Sequence, residues 1–133
     1  AAKEQMGDVV YQRSRHVVGE IQRTMDAAKA LEANDFDTLG SLMYASHASL
    51  RDDFEVSCEE LDIMVEIAQS LGKDGGVIGS RMTGGGFGGS TVTLCESSKA
   101  NSIVAAMTSQ YTKHTGITPE ILLSRPSQGA RLL

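Results

Sequence analysis

The sequence predicts an α+β fold in which helices pack on one face of an antiparallel sheet. Four stretches repeat apolar residues every three or four positions, which is the period of an amphipathic helix. Three shorter stretches alternate or form brief apolar runs, as strands do. The predicted order is three helices, two strands, one helix and a last strand. Helices covering a three-stranded sheet in this order would bury the apolar stripes.

The first helix is predicted over residues 9–33, with charged residues mostly on its outer side. The expected inward residues are Val10, Val17, Ile21, Met25, Ala28 and Leu31. Asn34 and Asp35 break this helix, and the pair can cap the next one. The second helix continues an apolar stripe from Phe36 to about Leu50.

The third helix is predicted to follow a capping box. Ser57 and Glu60 have the spacing at which each side chain bonds the other residue's backbone N–H. Gly72 then suits the position just after the last turn. The expected inward residues of this helix are Leu61, Met64, Val65, Ala68 and Leu71.

A strand, a glycine-rich loop and a second strand are predicted next. The apolar pair Val77-Ile78 leads into the loop at residues 81–90, and the alternating residues 91–95 lead out of it. The pattern therefore predicts a hairpin whose connection is unusually rich in glycine.

The last two predicted elements are a helix and a strand. Ser97 and Ser98 can cap the helix, and Gly116 ends it. A strand is predicted over residues 118–124, with Pro119 at its start, where a missing N–H donor is tolerated. The expected inward residues of the helix are Ile103, Val104, Met107 and Tyr111.

Length and composition predict one domain over residues 1–133. The net charge of −5, without long blocks of like charge, argues against non-specific binding of nucleic acid or of an anionic membrane. No apolar run approaches the roughly 18 residues of a membrane span. Lys3, Glu4 and Asp8 interrupt any signal peptide. Because the chain has two cysteines far apart in the sequence, Cys58 and Cys95, a reducing, cytoplasmic setting is expected. Both are expected to be small buried hydrophobic residues.

The glycine-rich loop is the candidate binding site, because N–H groups exposed on such a loop form an anion-binding concavity. Gly84, Gly86 and Gly89 satisfy G-x-G-x-x-G, but a dinucleotide fingerprint needs a helix to begin within the motif, and a strand follows here. A P-loop needs a lysine after Gly89, and a protein kinase needs V-A-I-K and H-R-D segments downstream. None of these is present. A phosphate-facing loop and a flexible hairpin connection both stay open.

Four segments in the same order resemble galactokinases, within the GHMP small-molecule kinase superfamily. Residues 79–89, G-S-R-M-T-G-G-G-F-G-G, resemble the third signature motif of that family. Residues 15–20, R-H-V-V-G-E, resemble the start of a family helix, and residues 46–62 resemble S-H-x-S-L-R-D-D-[FY]-E-V-S-x-x-E-L-D. Residues 125–130, R-P-S-Q-G-A, resemble the K-P-S-Q-G-A ending. The resemblance spans nearly the whole chain.

The resemblance implies the C-terminal domain of a two-domain kinase that transfers the γ-phosphate of ATP to the C1 hydroxyl of galactose. In that family the third motif approaches the phosphate-binding loop and shapes the nucleotide and sugar cleft. The implied cofactor-binding residues are Gly84, Gly85, Gly86, Phe87, Gly88 and Gly89. The family's G-R-x-N-x-I-G-E-H-T-D-Y and G-L-S-S-S-A stretches are not in this sequence. The resemblance therefore implies no catalytic residue here, and ATP and Mg²⁺ held mainly by a missing N-terminal domain.

The resemblance also implies a ferredoxin-like sheet whose first strand lies just upstream of residue 1. An edge left open by its absence would invite pairing with another chain, so a homodimer or poor solubility is expected. Three alternatives stay open: a related sugar kinase, such as one acting on N-acetylgalactosamine; a catalytically inactive sugar sensor that regulates transcription through a protein partner; and a free-standing interaction module. Upstream catalytic motifs would separate the sensor from the kinases.

Histidines and paired carboxylates are weaker candidates for chemistry. His47 could line the cleft, but a hydrogen-bonded structural histidine is favoured. His16 and His114 have no partner at ligand spacing and are expected at the surface, so no zinc site is predicted. Asp52 and Asp53 are adjacent and do not share a helix face, which favours capping and surface charge.

Two polar residues near the predicted motifs have competing interpretations. Arg81 lies beside the loop and could steady a phosphate or pair with an acid in the sheet. Ser57 has the residue type of a nucleophile, but the capping box accounts for it.

Overall fold

The computed structural model describes residues 2–127. In that part of the chain the helices are α1 (Ala2–Met6), α2 (Asp8–Glu32), α3 (Phe36–Asp52), α4 (Glu59–Leu71) and α5 (Ala100–Thr115), and the strands are β1 (Val77–Thr83) and β2 (Ser90–Cys95). The four long helices and the hairpin confirm the predicted order from the first helix to α5. The short α1 has no counterpart among the predicted elements.

The hairpin is antiparallel, and its ladder runs from Val77 opposite Cys95 to Thr83 opposite Ser90. The register shifts near Ile78, where β1 carries one extra residue. Helices α3 and α4 pack against β1, and α4 also reaches β2. This confirms the predicted α+β architecture of helices on an antiparallel sheet.

The predicted third strand at residues 118–124 is wrong. These residues have no regular secondary structure, and the sheet of the described chain has two strands. The segment faces β2 across a groove of about 1020 Å³, whose walls include Leu61 and Tyr111 from α4 and α5. Because the groove separates the two backbones, residues 118–124 cannot join the ladder.

The main core lies between α4, β1 and α5. Its buried members are Ile67, Ala68, Val77, Ile103, Met107 and Tyr111. The predicted inward faces of α4 and α5 are confirmed at Leu61, Val65 and Ala68 and at Ile103, Met107 and Tyr111, which are all buried. Hydrophobic burial on these two helices therefore supplies much of the stability of the fold.

The predicted inward face of α2 is wrong, because its apolar stripe is largely exposed. Val17 is 48 % exposed and Ile21 58 % exposed. His16 and Ala30 are the buried residues of this helix instead. The 3.6-residue period located the apolar stripe correctly, but α2 packs on α3 through its opposite, polar face.

The contact between α2 and α3 is a layer of hydrogen bonds. His16 Nδ1 lies 3.0 Å from Ser49 Oγ, and Ser46 Oγ donates to Glu20 at 2.6 Å. Arg15 pairs with Asp53 at the end of α3. The serines on the C-terminal half of α3 thus serve as partners for the polar face of α2.

Helix α3 crosses β1 at a pair of glycines. A Cβ atom on Gly40 would lie 1.9 Å from the carbonyl oxygen of Ile78. A Cβ atom on Gly79 would lie 2.7 Å from Gly40 Cα. The two backbones are therefore closer than any side chain would permit, and the missing side chains set the distance between helix and strand.

The N-cap of α3 and two C-caps are confirmed. Asp35 Oδ1 accepts a hydrogen bond from Thr38 N–H at 3.0 Å. Gly72 and Gly116 end α4 and α5, both with positive φ. The predicted serine cap of α5 is wrong, because Ser97–Lys99 forms a 3₁₀ turn and α5 begins after it without a side-chain cap.

The predicted capping box of α4 is also wrong. Cys58 is the N-cap, so Glu60 lies in the second position of the helix and not the third. Ser57 Oγ donates to Asp62 Oδ1 instead. The side chain that was expected to bond the backbone is therefore part of a side-chain network.

Candidate functional site

The glycine-rich loop, residues 84–89, joins β1 to β2. Its residues with positive φ are Gly84 (86°), Gly86 (85°), Phe87 (57°), Gly88 (121°) and Gly89 (95°). A bulky residue with positive φ is a conformational outlier, so the backbone at Phe87 is held by its surroundings. The side chain of Phe87 projects outward and is 77 % exposed.

One side of the loop is anchored on the segment between α3 and α4. Phe87 N–H donates to the carbonyl oxygen of Val56 at 2.7 Å. A Cβ atom on Gly86 would lie 2.1 Å from that same oxygen. Only glycine permits this approach, so Gly86 and Phe87 together fix the loop against Val56.

The other side of the loop is open. A Cβ atom on Gly84, Gly85 or Gly88 would meet nothing within 4 Å. Within residues 2–127 the backbone N–H groups of these three glycines have no acceptor. Uncommitted N–H groups of this kind attract anions. The loop thus has the shape and the donors to receive a phosphate on its open side.

The start of the loop is anchored by His47, which is 4 % exposed. Met82 N–H donates to His47 Nδ1 at 3.2 Å. His47 Nε2 lies 3.1 Å from Asp62 Oδ1, although its N–H is not aligned for a hydrogen bond. Asp62 also accepts the hydroxyl of Ser57. The prediction of a hydrogen-bonded structural histidine is confirmed.

Arg81 pairs with an acid, and that acid comes from α2 and not from the sheet. Its Nη1 lies 3.2 Å from Glu20 Oε1, and its Nε donates to the carbonyl oxygen of Met82 at 3.0 Å. Burial raises the pKa of Glu20, but hydrogen bonds from Ser46 and Arg23 and the nearby guanidinium charges outweigh this effect. The pKa of Glu20 therefore lies below its ordinary value, and Glu20 is a fixed anion beside the loop.

The prediction of a surface position for His16 is wrong. Its ring is buried, bonds Ser49 and stacks on Phe54 with the ring centroids 4.6 Å apart. Burial lowers the pKa values of both His16 and His47. His114 is exposed, as predicted, and its Nδ1 lies 2.8 Å from the carbonyl oxygen of Gln110.

The two adjacent aspartates have different partners. Asp52 pairs with Arg51, and Asp53 pairs with Arg15 and accepts from Ser49 Oγ. The hydrogen bond from Arg15 is the main cause that lowers the pKa of Asp53. The predicted surface position is confirmed for Asp52, whose described partner is Arg51 and not a helix end, while Asp53 is part of the α2–α3 contact.

Cys58 and Cys95 are free thiols that are half-buried, less than the sequence predicts. Among the described residues, no three His, Cys, Asp or Glu side chains are grouped so that they could hold a metal ion. None of the helices in residues 2–127 is long and apolar enough to cross a membrane. Residues 128–130 of the R-P-S-Q-G-A segment lie outside the described residues.

Sequence reasoning missed Glu20, Asp62 and Val56 as neighbours of the loop. Glu20 and Asp62 lie within the segments that resemble the family, which was the available signal. Val56 lies in the same segment as Asp62, but it acts through its backbone carbonyl, so its residue type does not indicate the contact.

Comparisons with known proteins agree with this arrangement. The family description "GHMP kinases C terminal" matches residues 27–113. Galactokinase from Bos taurus is 51 % identical over 133 residues, and galactokinase from Homo sapiens is 49 % identical over the same length. The match covers 100 % of this chain and 32 % of each relative. The chain thus spans about a third of the length of these relatives.

Two solved structures share the fold. A Lactococcus lactis galactokinase complexed with galactose matches with a TM-score of 0.80 and 40 % identity, over 86 % of this chain and 29 % of that chain. An L. major mevalonate kinase in complex with R-mevalonate matches with a TM-score of 0.64 and 27 % identity, over 86 % of this chain and 31 % of that chain. Because the family match covers more than half of the sequence, the chain belongs to the C-terminal family of the GHMP kinases.

Proposed function

We propose that this chain is the C-terminal part of a galactokinase, which transfers the γ-phosphate of ATP to the C1 hydroxyl of galactose. The observation that carries the proposal is the glycine loop, anchored on one side and open with free N–H groups on the other. Identity of about half to galactokinases over the entire chain supports galactose over other acceptors. In this proposal, residues 1–133 form one domain of a larger, two-domain kinase.

The proposed role of the loop is to face the nucleotide phosphates. The proposed contact residues are Gly84, Gly85, Gly86, Phe87, Gly88 and Gly89. Phosphoryl transfer depends on positioning and on stabilising charge, and backbone N–H groups serve both purposes without a titratable group. Mg²⁺, when bound with ATP, neutralises phosphate charge. In this proposal, the ligands of Mg²⁺ come mainly from outside this chain.

The proposed partner of the chain is the remaining part of the longer protein. Its support is the stripe on α2, where Val10, Val17, Val18, Ile21 and Met25 are each about half exposed or more. We propose that this stripe is an interaction surface, because exposed apolar residues that adjoin on one face are typical of such surfaces. Relatives about three times as long supply enough chain to cover it. The proposed setting is the cytoplasm, as for a chain with few cysteines.

The test is ADP release by the full-length protein with galactose and ATP, with the 133-residue chain as a control. Turnover of galactose by the long form alone supports the proposal. A preference for N-acetylgalactosamine would instead assign a related sugar kinase. Binding of both ligands without turnover would overturn the kinase assignment in favour of a sugar sensor.

A further inference from the structure

We propose that His47, supported by Asp62 and Ser57, is a positioning group that holds both anchors of the glycine loop in register. Two backbone N–H groups anchor the loop, that of Met82 near the end of β1 and that of Phe87 within the loop. A chain of side-chain contacts connects these two points outside the loop itself. The role of the loop toward phosphate rests on the function proposed above, whereas the positioning role can be measured on this chain alone.

The contacts form a closed ring. Met82 N–H donates to His47, whose other ring nitrogen faces Asp62, and Asp62 accepts from Ser57. Ser57 follows Val56 directly, and Val56 accepts from Phe87 N–H at 2.7 Å. The ring thus runs from the last buried residue of β1 through α3 and α4 to the tip of the loop. A displacement at one anchor is transmitted to the other.

The hydrogen bond from Met82 fixes the tautomer of His47. A ring nitrogen that accepts a backbone N–H must be unprotonated, so the neutral ring carries its proton on Nε2. That proton lies on the side of Asp62, whose Oδ1 is 3.1 Å from Nε2. Met82 N–H points away from the β1–β2 ladder, so β2 cannot replace His47 as its acceptor.

Protonation of His47 would remove the acceptor for Met82. The charged groups that act on the ring are Asp62 from α4, Arg51 and Asp52 from α3, and Arg81 from β1. Burial has the largest effect on the ring and keeps it neutral, while Asp62 opposes this effect. The neutral form, which can accept from Met82, is therefore the form present near pH 7.

Two substitutions separate the two nitrogens. His47→Asn leaves an amide oxygen near the position of Nδ1, so it can still accept from Met82. His47→Gln places its amide near the position of Nε2, so it can still contact Asp62 but no longer accepts from Met82. The control is His114→Gln, which makes the same substitution at an exposed histidine that takes no part in the contacts between Met82 and Phe87.

The readout is amide hydrogen exchange of Met82 and Phe87 in the labelled 133-residue chain, measured by NMR without ATP or galactose. We expect His47→Gln to speed exchange at both amides by about fivefold or more, the value of one hydrogen bond, and His47→Asn to stay near the wild type. Ser57→Ala should speed exchange at Phe87 more than at Met82. In the wild type, the Met82 amide resonance should titrate together with the His47 ring, below pH 6.5.

Equal exchange in the Asn and Gln variants would overturn the positioning role, as would a Phe87 amide that responds to neither His47→Gln nor Ser57→Ala. These outcomes do not depend on the kinase assay. A failed ADP-release assay with the expected exchange pattern would refute the proposed function and leave the positioning role standing.

Discussion

Gly86 is the loop residue whose replacement should cost most. Its φ of 85° lies in the left-handed region, and a Cβ atom would lie 2.1 Å from the carbonyl oxygen of Val56. Gly86→Ala should therefore lower the free energy of unfolding by about 2 kcal/mol, from backbone strain and loss of the Phe87–Val56 contact. Urea denaturation followed by circular dichroism measures this change.

Gly85→Ala is the matched control for Gly86→Ala. Gly85 does not have a positive φ, and its Cβ would meet nothing within 4 Å. The two alanine variants should therefore differ clearly in their urea midpoints, and equal midpoints would contradict the described loop geometry. In a full-length protein, reduced ATP turnover by Gly85→Ala, with stability unchanged, would indicate that its open side faces the ligand.

At the scale of elements, the crossing of α3 over β1 depends on Gly40. In a helix interior, alanine is about 1 kcal/mol more favourable than glycine. Replacing a solvent-exposed helical glycine by alanine therefore stabilises a protein. At Gly40 the added Cβ would lie 1.9 Å from the backbone of Ile78, which cannot yield without moving β1. Gly40→Ala should therefore destabilise the chain by about 2 kcal/mol or more despite its helix propensity.

Gly19→Ala in α2 is the control for Gly40→Ala, because it raises helix propensity without a clash against another backbone segment. Its Cβ would lie 3.2 Å from the guanidinium of Arg23, at the far end of a flexible side chain. This variant should be neutral or up to about 1 kcal/mol more stable. Thermal or urea unfolding of both variants checks the contrast, and a stabilised Gly40→Ala variant would refute the close crossing.

The elements also show how far the sequence determines the fold. Helical periodicity predicts the extents of α2 to α5 because it depends on neighbouring residues. It does not determine which face of α2 is covered, because an apolar stripe shows affinity for a partner without identifying that partner. The failed strand at residues 118–124 has a similar cause, since its residue types suit a strand but no edge lies within reach.

The sequence likewise predicts one part of the candidate site and not another. Composition alone predicts the glycine loop, because five glycines in ten residues are rarely a simple turn. Val56 accepts through its backbone carbonyl, which every residue type offers, so its residue type does not reveal this anchor. The anchor at Met82 uses the side chain of His47, which the sequence does single out. The contact of residues 84–89 with nucleotide stays a prediction, which a binding measurement with ATP would test.

At the scale of the whole molecule, acidification should destabilise the chain in two ranges. The pKa values of His16 and His47 are lowered in the fold, so the unfolded chain takes up protons first as the pH falls through about 6.5. The pKa values of Glu20 and Asp53 are also lowered, and the stability that they contribute is lost below about pH 5. Urea unfolding from about pH 7.5 to 4 tests this, and an unfolding free energy that stays flat to about pH 5.5 would contradict the first range.

The isolated chain should self-associate through the outer edge of β2. That edge lines the groove, and Val92 on it is 47 % exposed. Unpaired strand edges template pairing with another copy, and a lysine there opposes it. We expect a concentration-dependent dimer in sedimentation experiments, which Val92→Lys abolishes.

Ile21→Lys on the stripe of α2 is the control for Val92→Lys. Ile21 is 58 % exposed and lies on a different element from the edge of β2, so its substitution should leave the dimer intact. Loss of the dimer only in Ile21→Lys would assign the association to α2, and a monomer at all concentrations would refute the edge contact.

The polar layer between α2 and α3 has a consequence for how the exposed stripe is presented. An apolar contact is non-directional and tolerates rotation of a helix about its own axis. Hydrogen bonds are directional, and the pairs His16–Ser49 and Glu20–Ser46 are satisfied at one rotational setting only. These hydrogen bonds therefore fix the rotation of α2 about its own axis. Its exposed valines and isoleucine point in one direction whether or not a partner is bound. Binding of a partner to this surface therefore costs less conformational entropy, because folding has already ordered α2.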